Sequence, residues 1–197
     1  MKAELDNVAI FMLKWLTMVI HFDSVPHYSQ FQDIPAIEWQ SSGCGVASLA
    51  MALEFYKPKM GRVSVTNLIL QALEFGAYQT NVGWKHKELA ALAGLYGLTG
   101  KNYDLSELDN RSAFEQFKSV LADGPVIVSI HNKFNSKNTL GHLVVVTGIE
   151  NDVVFYHDPA GNQKEKAISA GVFLGGWKKR FIVVRETTGG NSDYLSP

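Results

Sequence analysis

The chain has one cysteine among its 197 residues. No intramolecular disulfide can form, and metal sites built on cysteine pairs are excluded. Charge of one sign is also lacking: 18 Lys+Arg stand against 19 Asp+Glu, a formal net charge of −1. No basic stripe is present for nucleic acid or an anionic membrane surface. The apolar run Val8–Ile20 holds 13 residues and is interrupted by Lys14, which is too short for a helix that spans a bilayer. Glu4 and Asp6 precede it and no small-x-small cleavage site follows, so it does not read as a signal peptide. The expectation is a segment packed on its domain, no integral membrane span and a cytoplasmic protein; an atypical N-terminal anchor or export is the alternative. Repeats and low-complexity tracts are absent.

What is present is an ordinary globular composition, 46% hydrophobic and 19% charged, enough for one sizeable core. The expected organisation is an N-terminal apolar segment over 1–21, one domain over 22–186 and a polar, flexible tail over 187–197 that contains Gly189-Gly190. Apolar spacing predicts helices over 44–56, 66–75 and 84–96, with Pro58, Gly76 and Gly97 just past their ends. Ser112-Ala113-Phe114-Glu115 fits a capping box that opens a further helix, ending near Ala122. β-branched runs predict strands over 126–131, 143–149, 153–157 and 181–185, with Asn151-Asp152 closing a hairpin between the second and third. Helices gathered ahead of strands make the fold class α+β, helices packed on an antiparallel sheet.

Cys44 stands where a loop becomes a helix, in Ser42-Gly43-Cys44-Gly45-Val46-Ala47-Ser48. A lone cysteine is ordinarily a small buried hydrophobe. At a helix start, however, unpaired amide N–H groups and the helix dipole stabilise negative charge, which is what a thiolate nucleophile needs. Small neighbours leave room for a substrate.

Gly141-His142 opens one predicted strand, and Asp158 ends the next, sixteen residues on. If Asn151-Asp152 closes the hairpin, the start of the first strand lies beside the end of the second. His142 and Asp158 then share one end of the sheet. A carboxylate on one ring nitrogen fixes the tautomer and leaves the other nitrogen for a nucleophile. His157 is a rival base, but strand alternation turns it to the opposite face. His21, His27, His86 and His131 have no comparable partner in the sequence.

Four segments now stand in order: Val25-Pro26-His27-Tyr28-Ser29-Gln30, the Cys44 segment, Gly141-His142-Leu143-Val144-Val145-Val146-Thr147-Gly148, and His157-Asp158-Pro159. Together they resemble the bacteriocin-processing-like cysteine peptidases of the papain clan, over roughly residues 22 to 186. The resemblance implies a papain-like fold and a Cys-His-Asp triad on Cys44, His142 and Asp158. It also implies a glutamine that donates to the oxyanion. Gln30 matches by pattern, 14 residues before Cys44, a longer gap than in the transporter-linked members; Gln40 is the alternative. Those members cut leader peptides after a double glycine. Here no transmembrane block or nucleotide-binding motif accompanies the domain, so leader cleavage does not carry over by itself.

The sequence thus reads as a peptidase or amide hydrolase working through an acyl-thioester on a peptide or protein substrate, with no metal or organic cofactor. Tyr28, Trp39 and Trp177 are candidates to line its cleft. The alternatives are a non-catalytic or regulatory peptide-binding module on the same fold, and an acyl or amide transferase using the same triad. A metal site on Cys44, His142 and Asp158 lacks any short-range ligand pair.

Overall fold

The structure is a computed structural model that describes residues 19–162 and 164–187. Most of the expected N-terminal segment and nearly all of the expected tail lie outside these residues. In chain order the elements are β1 (Ile20–His21), α1 (Ile37–Gln40), α2 (Cys44–Tyr56), α3 (Val65–Glu74), β2 (Tyr78–Gln79), β3 (Gly83–Trp84), α4 (His86–Ala91) and β4 (Leu98–Asp104). There follow α5 (Asn110–Leu121), β5 (Val126–His131), β6 (Gly141–Glu150), β7 (Val153–His157), β8 (Lys166–Ser169), α6 (Ala170–Gly176) and β9 (Trp177–Glu186).

Small and apolar residues all round α2 make it a central helix: every residue from Gly45 to Leu53 is buried. A helix that is apolar on all sides belongs inside a domain. The sheet it packs on is antiparallel throughout, in the order β4-β9-β5-β6-β7-β8, with β1 added to β6. Alternation along the strands sorts two cores. Ile127, Leu143, Val145 and Ile182 face α2, α3 and α4, while Val128, Val144, Val146, Phe181 and Val183 face the side covered by α5 and α6. The α+β expectation holds, with helices on the second face as well.

Three local differences have plain causes. The expected helix over 84–96 is split: Trp84 pairs with Tyr78 in a small hairpin, α4 follows, and residues 92–96 tighten into a 3-10 turn. The expected cap Ser112 is displaced by Asp109, whose carboxylate accepts from the N–H groups of Arg111 (2.9 Å) and Ser112 (3.0 Å). Helix α5 therefore begins at Asn110. Strands β4 and β8 were not anticipated, because both are sheet edges: β4 is mostly exposed and polar, and β8 is a short four-residue strand without a β-branched run.

The hairpin that places the site forms as the sequence indicates. Asn151 and Asp152 turn the chain with φ of 46° and 66°. Asn and Asp tolerate this left-handed pair, and its twist matches that of the flanking strands. Val145 then lies opposite His157.

Candidate active site

Cys44 is the first residue of α2, and Gly43 ahead of it offers no side-chain cap. The free N–H groups of the first turn and the helix dipole thus favour an anion at this end. The glycines on either side are dictated by packing. A Cβ on Gly43 would stand 2.2 Å from Ile34 Cδ1, and one on Gly45 would stand 2.5 Å from the Trp84 ring. The Trp84 indole N–H also donates to Ser42 O, which ties the loop before Cys44 to the β2–β3 hairpin. Ser48 Oγ donates to Leu143 O (3.3 Å), which docks α2 on β6 one residue from His142.

His142 Nε2 lies 2.7 Å from Asp158 Oδ1. An ionised carboxylate only accepts, so Nε2 carries the proton and Nδ1 is left open to a neighbour; the Cys44 side chain lies near enough to act on this ring. Burial alone would depress the imidazole pKa. The bond to Asp158 and the interaction with the Cys44 side chain instead push it up to about 9. Asp158 is mostly buried, which favours its neutral form, yet His142, Lys166 and the Ala160 N–H hold the carboxyl well below the usual carboxylate range. Ala160 N donates to Oδ1 (2.9 Å) and Lys166 Nζ to Oδ2 (2.9 Å). Lys166 was not apparent from the sequence. It reaches Asp158 only because β8 runs back beside β7.

Gln30 is buried, and its backbone N–H donates to Pro159 O (2.8 Å), beside Asp158. Its Cβ would lie 3.2 Å from a Cβ on Gly43, which puts the side chain next to the residue preceding Cys44. Nε2 donates to Gln40 O (2.7 Å), and Oε1 is buried without a hydrogen-bond partner among the described residues. Rotating the amide would set two oxygens against each other, so the orientation is fixed, and Gln40 O is the partner of Nε2 among the described residues. Gln40 spends its own amide within its loop, on Phe31 O (3.2 Å) and Ile34 O (2.9 Å).

The remaining histidines sort differently from one another. His157 is buried, with Nδ1 3.2 Å from Pro26 O and no approach to Cys44 among its contacts. His21 does have a carboxylate partner, contrary to expectation: Nε2 is 3.0 Å from Glu165 Oε1. His86 lines the cleft. No group of three or more His, Cys, Asp or Glu is placed to hold a metal ion among the described residues.

A cleft of about 700 Å³ opens beside Cys44 and His142. Tyr78 and Trp84 line it, not the aromatics expected from the sequence. Tyr28 is a core residue whose hydroxyl bonds Glu54, and Trp177 packs among Phe117, Phe173 and Phe181. Trp39 stacks edge-on against Tyr78 (5.0 Å) and so braces the wall. No helix among the described residues is long and apolar enough to cross a membrane.

Known structures share this arrangement of elements. One is a double glycine motif protease from an AMS/PCAT transporter in complex with the leader peptide. It has a TM-score of 0.58 and 21% identity, over 86% of this chain and 99% of the other. A C39-like peptidase from Bacillus anthracis gives a TM-score of 0.60 and 18% identity, over 87% of this chain and 98% of the other. The peptidase domain of Streptococcus ComA, a bi-functional ABC transporter of a quorum-sensing pathway, gives 0.56 and 19%, over 75% and 93%. No curated protein matches the sequence. The sequence pattern of the Peptidase_C39 like family, by contrast, runs from residue 22 to residue 181, and the chain belongs to that family, with the mixed helix and antiparallel-sheet fold of its cysteine peptidases.

Proposed function

We propose that the protein is a cysteine peptidase of the papain-like, bacteriocin-processing-like type. His142 takes the proton of Cys44, and the thiolate attacks a peptide carbonyl. The carbonyl oxygen becomes an oxyanion, met by the second N–H of the Gln30 amide and the Cys44 backbone N–H. Collapse expels the amine, which takes a proton from His142 and leaves an acyl-thioester. Water, deprotonated by His142, hydrolyses the thioester and restores the thiol. Asp158 orients the imidazole throughout. The observation that carries this reading is the His142 ring, bonded to Asp158 at 2.7 Å with the Cys44 side chain near enough to act on the same ring. Gln30 is preferred to Gln40 because the Gln40 amide is committed to its own loop. A related fold occurs in complex with a leader peptide, which supports a peptide as substrate.

The test is the rate of iodoacetamide alkylation at Cys44 against pH, in the parent chain and in His142→Ala, followed by cleavage of a peptide library. A thiolate–imidazolium pair gives fast alkylation at pH 6, reduced by ~10-fold or more in the variant. Equal profiles in the two proteins would replace the hydrolase with a peptide-binding module. The masses of products formed with and without an added amine separate hydrolysis from transfer.

A further inference from the structure

Strand β9 enters the sheet through a bulge. Ser129 of β5 pairs with Arg180, but Ile130 pairs with Trp177, so Lys178 and Lys179 are extra residues on β9. Lys179 absorbs the distortion with a φ of 56°. Bulges re-aim side chains beside active sites, and here the two lysines part. Lys179 Nζ donates to Leu108 O, fixed against the chain ahead of α5. Lys178 turns into the cleft that holds Cys44 and His142. A Cβ on Gly141, the residue before His142, would lie 3.3 Å from its Nζ.

Lys178 has no carboxylate partner among the described residues. Arg180 in the same cleft already has one, Asp104 Oδ2 at 2.8 Å. Glu88, also at the cleft, pairs with Lys85 at 3.7 Å, and Lys87 adds a further cation. Burial and the neighbouring Arg180 both push the Lys178 pKa down. The ammonium is thus partly stripped of water beside a like charge, and an entering anion would relieve both penalties.

We propose that Lys178 binds a carboxylate of the substrate close to the scissile bond, making the enzyme selective for acidic peptides. The proposal rests on the peptidase reading above. The anion is an acidic side chain; a free chain terminus offers the same chemistry and is separated by the test.

The test uses two reagents of one shape, iodoacetate and iodoacetamide. In each, the Cys44 sulfur forms the S–C bond as the C–I bond breaks and iodide leaves. The expected result is an iodoacetate-to-iodoacetamide rate ratio that falls ~5- to 10-fold in Lys178→Met, returns in Lys178→Arg and fades with added salt. Matched peptides carrying Glu or Gln within three residues of the bond, with free or amidated C-termini, extend it. In the parent chain Glu peptides have kcat/KM ~10-fold above Gln peptides, a gap that closes in Lys178→Met. An unchanged reagent ratio in Lys178→Met overturns the carboxylate site and leaves the peptidase reading standing. A changed ratio with equal cleavage of Glu and Gln peptides overturns the acidic side chain as the anion, and a preference for the free C-terminus assigns it to the terminus. A changed ratio with no peptide cleaved overturns the peptidase reading and keeps an anion site at Lys178. If iodoacetamide does not reach Cys44 at all, both readings fall.

Discussion

Lys166 Nζ sits 2.9 Å from Asp158 Oδ2, on the oxygen that His142 leaves free. The carboxylate is therefore gripped at both ends, Oδ1 by His142 and the Ala160 N–H and Oδ2 by Lys166. A histidine is only as well aimed as the group that orients it. The turn after Asp158 and the return strand β8 supply that aim.

Lys166→Met should leave the fold intact, since the side chain is part-exposed at a sheet edge. It removes one charge-assisted bond worth about 1 kcal/mol. The expected loss is ~5-fold in kcat/KM with KM little changed, and Lys166→Arg should recover most of it. An equal loss in Lys166→Arg and Lys166→Met would mean that Lys166 acts by packing rather than by charge.

Asp158→Asn keeps the shape of the site and deletes its negative charge. His142 is held up at about 9 against a burial that pulls it down. Without the carboxylate, burial prevails and the imidazolium is lost at neutral pH. Alkylation of Cys44 at pH 6 should drop ~10-fold or more, while the rates converge above pH ~9, where a thiol ionises unaided. Parallel profiles at every pH would show that Asp158 does not set the charge on His142.

Gly45→Ala weighs two effects of opposite sign. Alanine in a helix gains up to ~1 kcal/mol over glycine. The added Cβ, however, would stand 2.5 Å from Trp84 Cδ1 and Cγ. Trp84 has little room to retreat, because Tyr78 and Trp39 pack around it and its N–H is tied to Ser42 O. The clash should win, with a net destabilisation of about 1–3 kcal/mol and a Tm lowered by ~3–10 °C. Gly45→Ala with Trp84→Leu should be more stable than the sum of the two changes, which a double-mutant cycle of thermal melts reads directly.

The central hairpin was legible in the sequence because its signals are local. Asn151-Asp152 specifies the turn, two β-branched runs specify the strands, and the turn alone brings His142 and Asp158 to one end. The helix from Cys44 to Tyr56 was legible for the same reason, from small and apolar residues closed off by Pro58. What escaped depends on partners distant in sequence or on edges without a pattern. Trp84 read as the start of a helix, yet its ring is held by Gly45 and Ser42 some forty residues earlier. Lys178 carries no local mark, since the bulge against β5 sets its place in the cleft that Cys44 also lines. Asp109 displaced Ser112 as a cap because a carboxylate accepts two N–H groups where a hydroxyl would meet one.

Acid lability should centre on His157. Burial, with the nearby charges of His27 and Lys164, pulls its pKa to about 4, although the Pro26 carbonyl and Glu165 oppose this. In the unfolded chain a histidine titrates near 6.5. Between pH 6.5 and 4 the unfolded state therefore takes up a proton that the folded state refuses, and stability falls as pH falls. His142 behaves oppositely: its raised pKa gives stability that is fully present below pH ~6.5 and is lost as pH rises through about 9. Asp158, with its depressed pKa, adds to the loss only at the acid end, as the unfolded carboxyl begins to protonate near pH ~4. His86, lowered by burial, adds to the loss. At about 1.4 kcal/mol per unit, His157 accounts for at most ~3.5 kcal/mol, or a Tm fall of ~7–14 °C. His157→Gln, which keeps a donor for Pro26 O, should melt lower than the parent at pH 7.5. It should lose fewer degrees on going to pH 4.5, so that the two melting curves draw together in acid. A constant gap between them across that range would show that His157 takes up its proton as readily folded as unfolded.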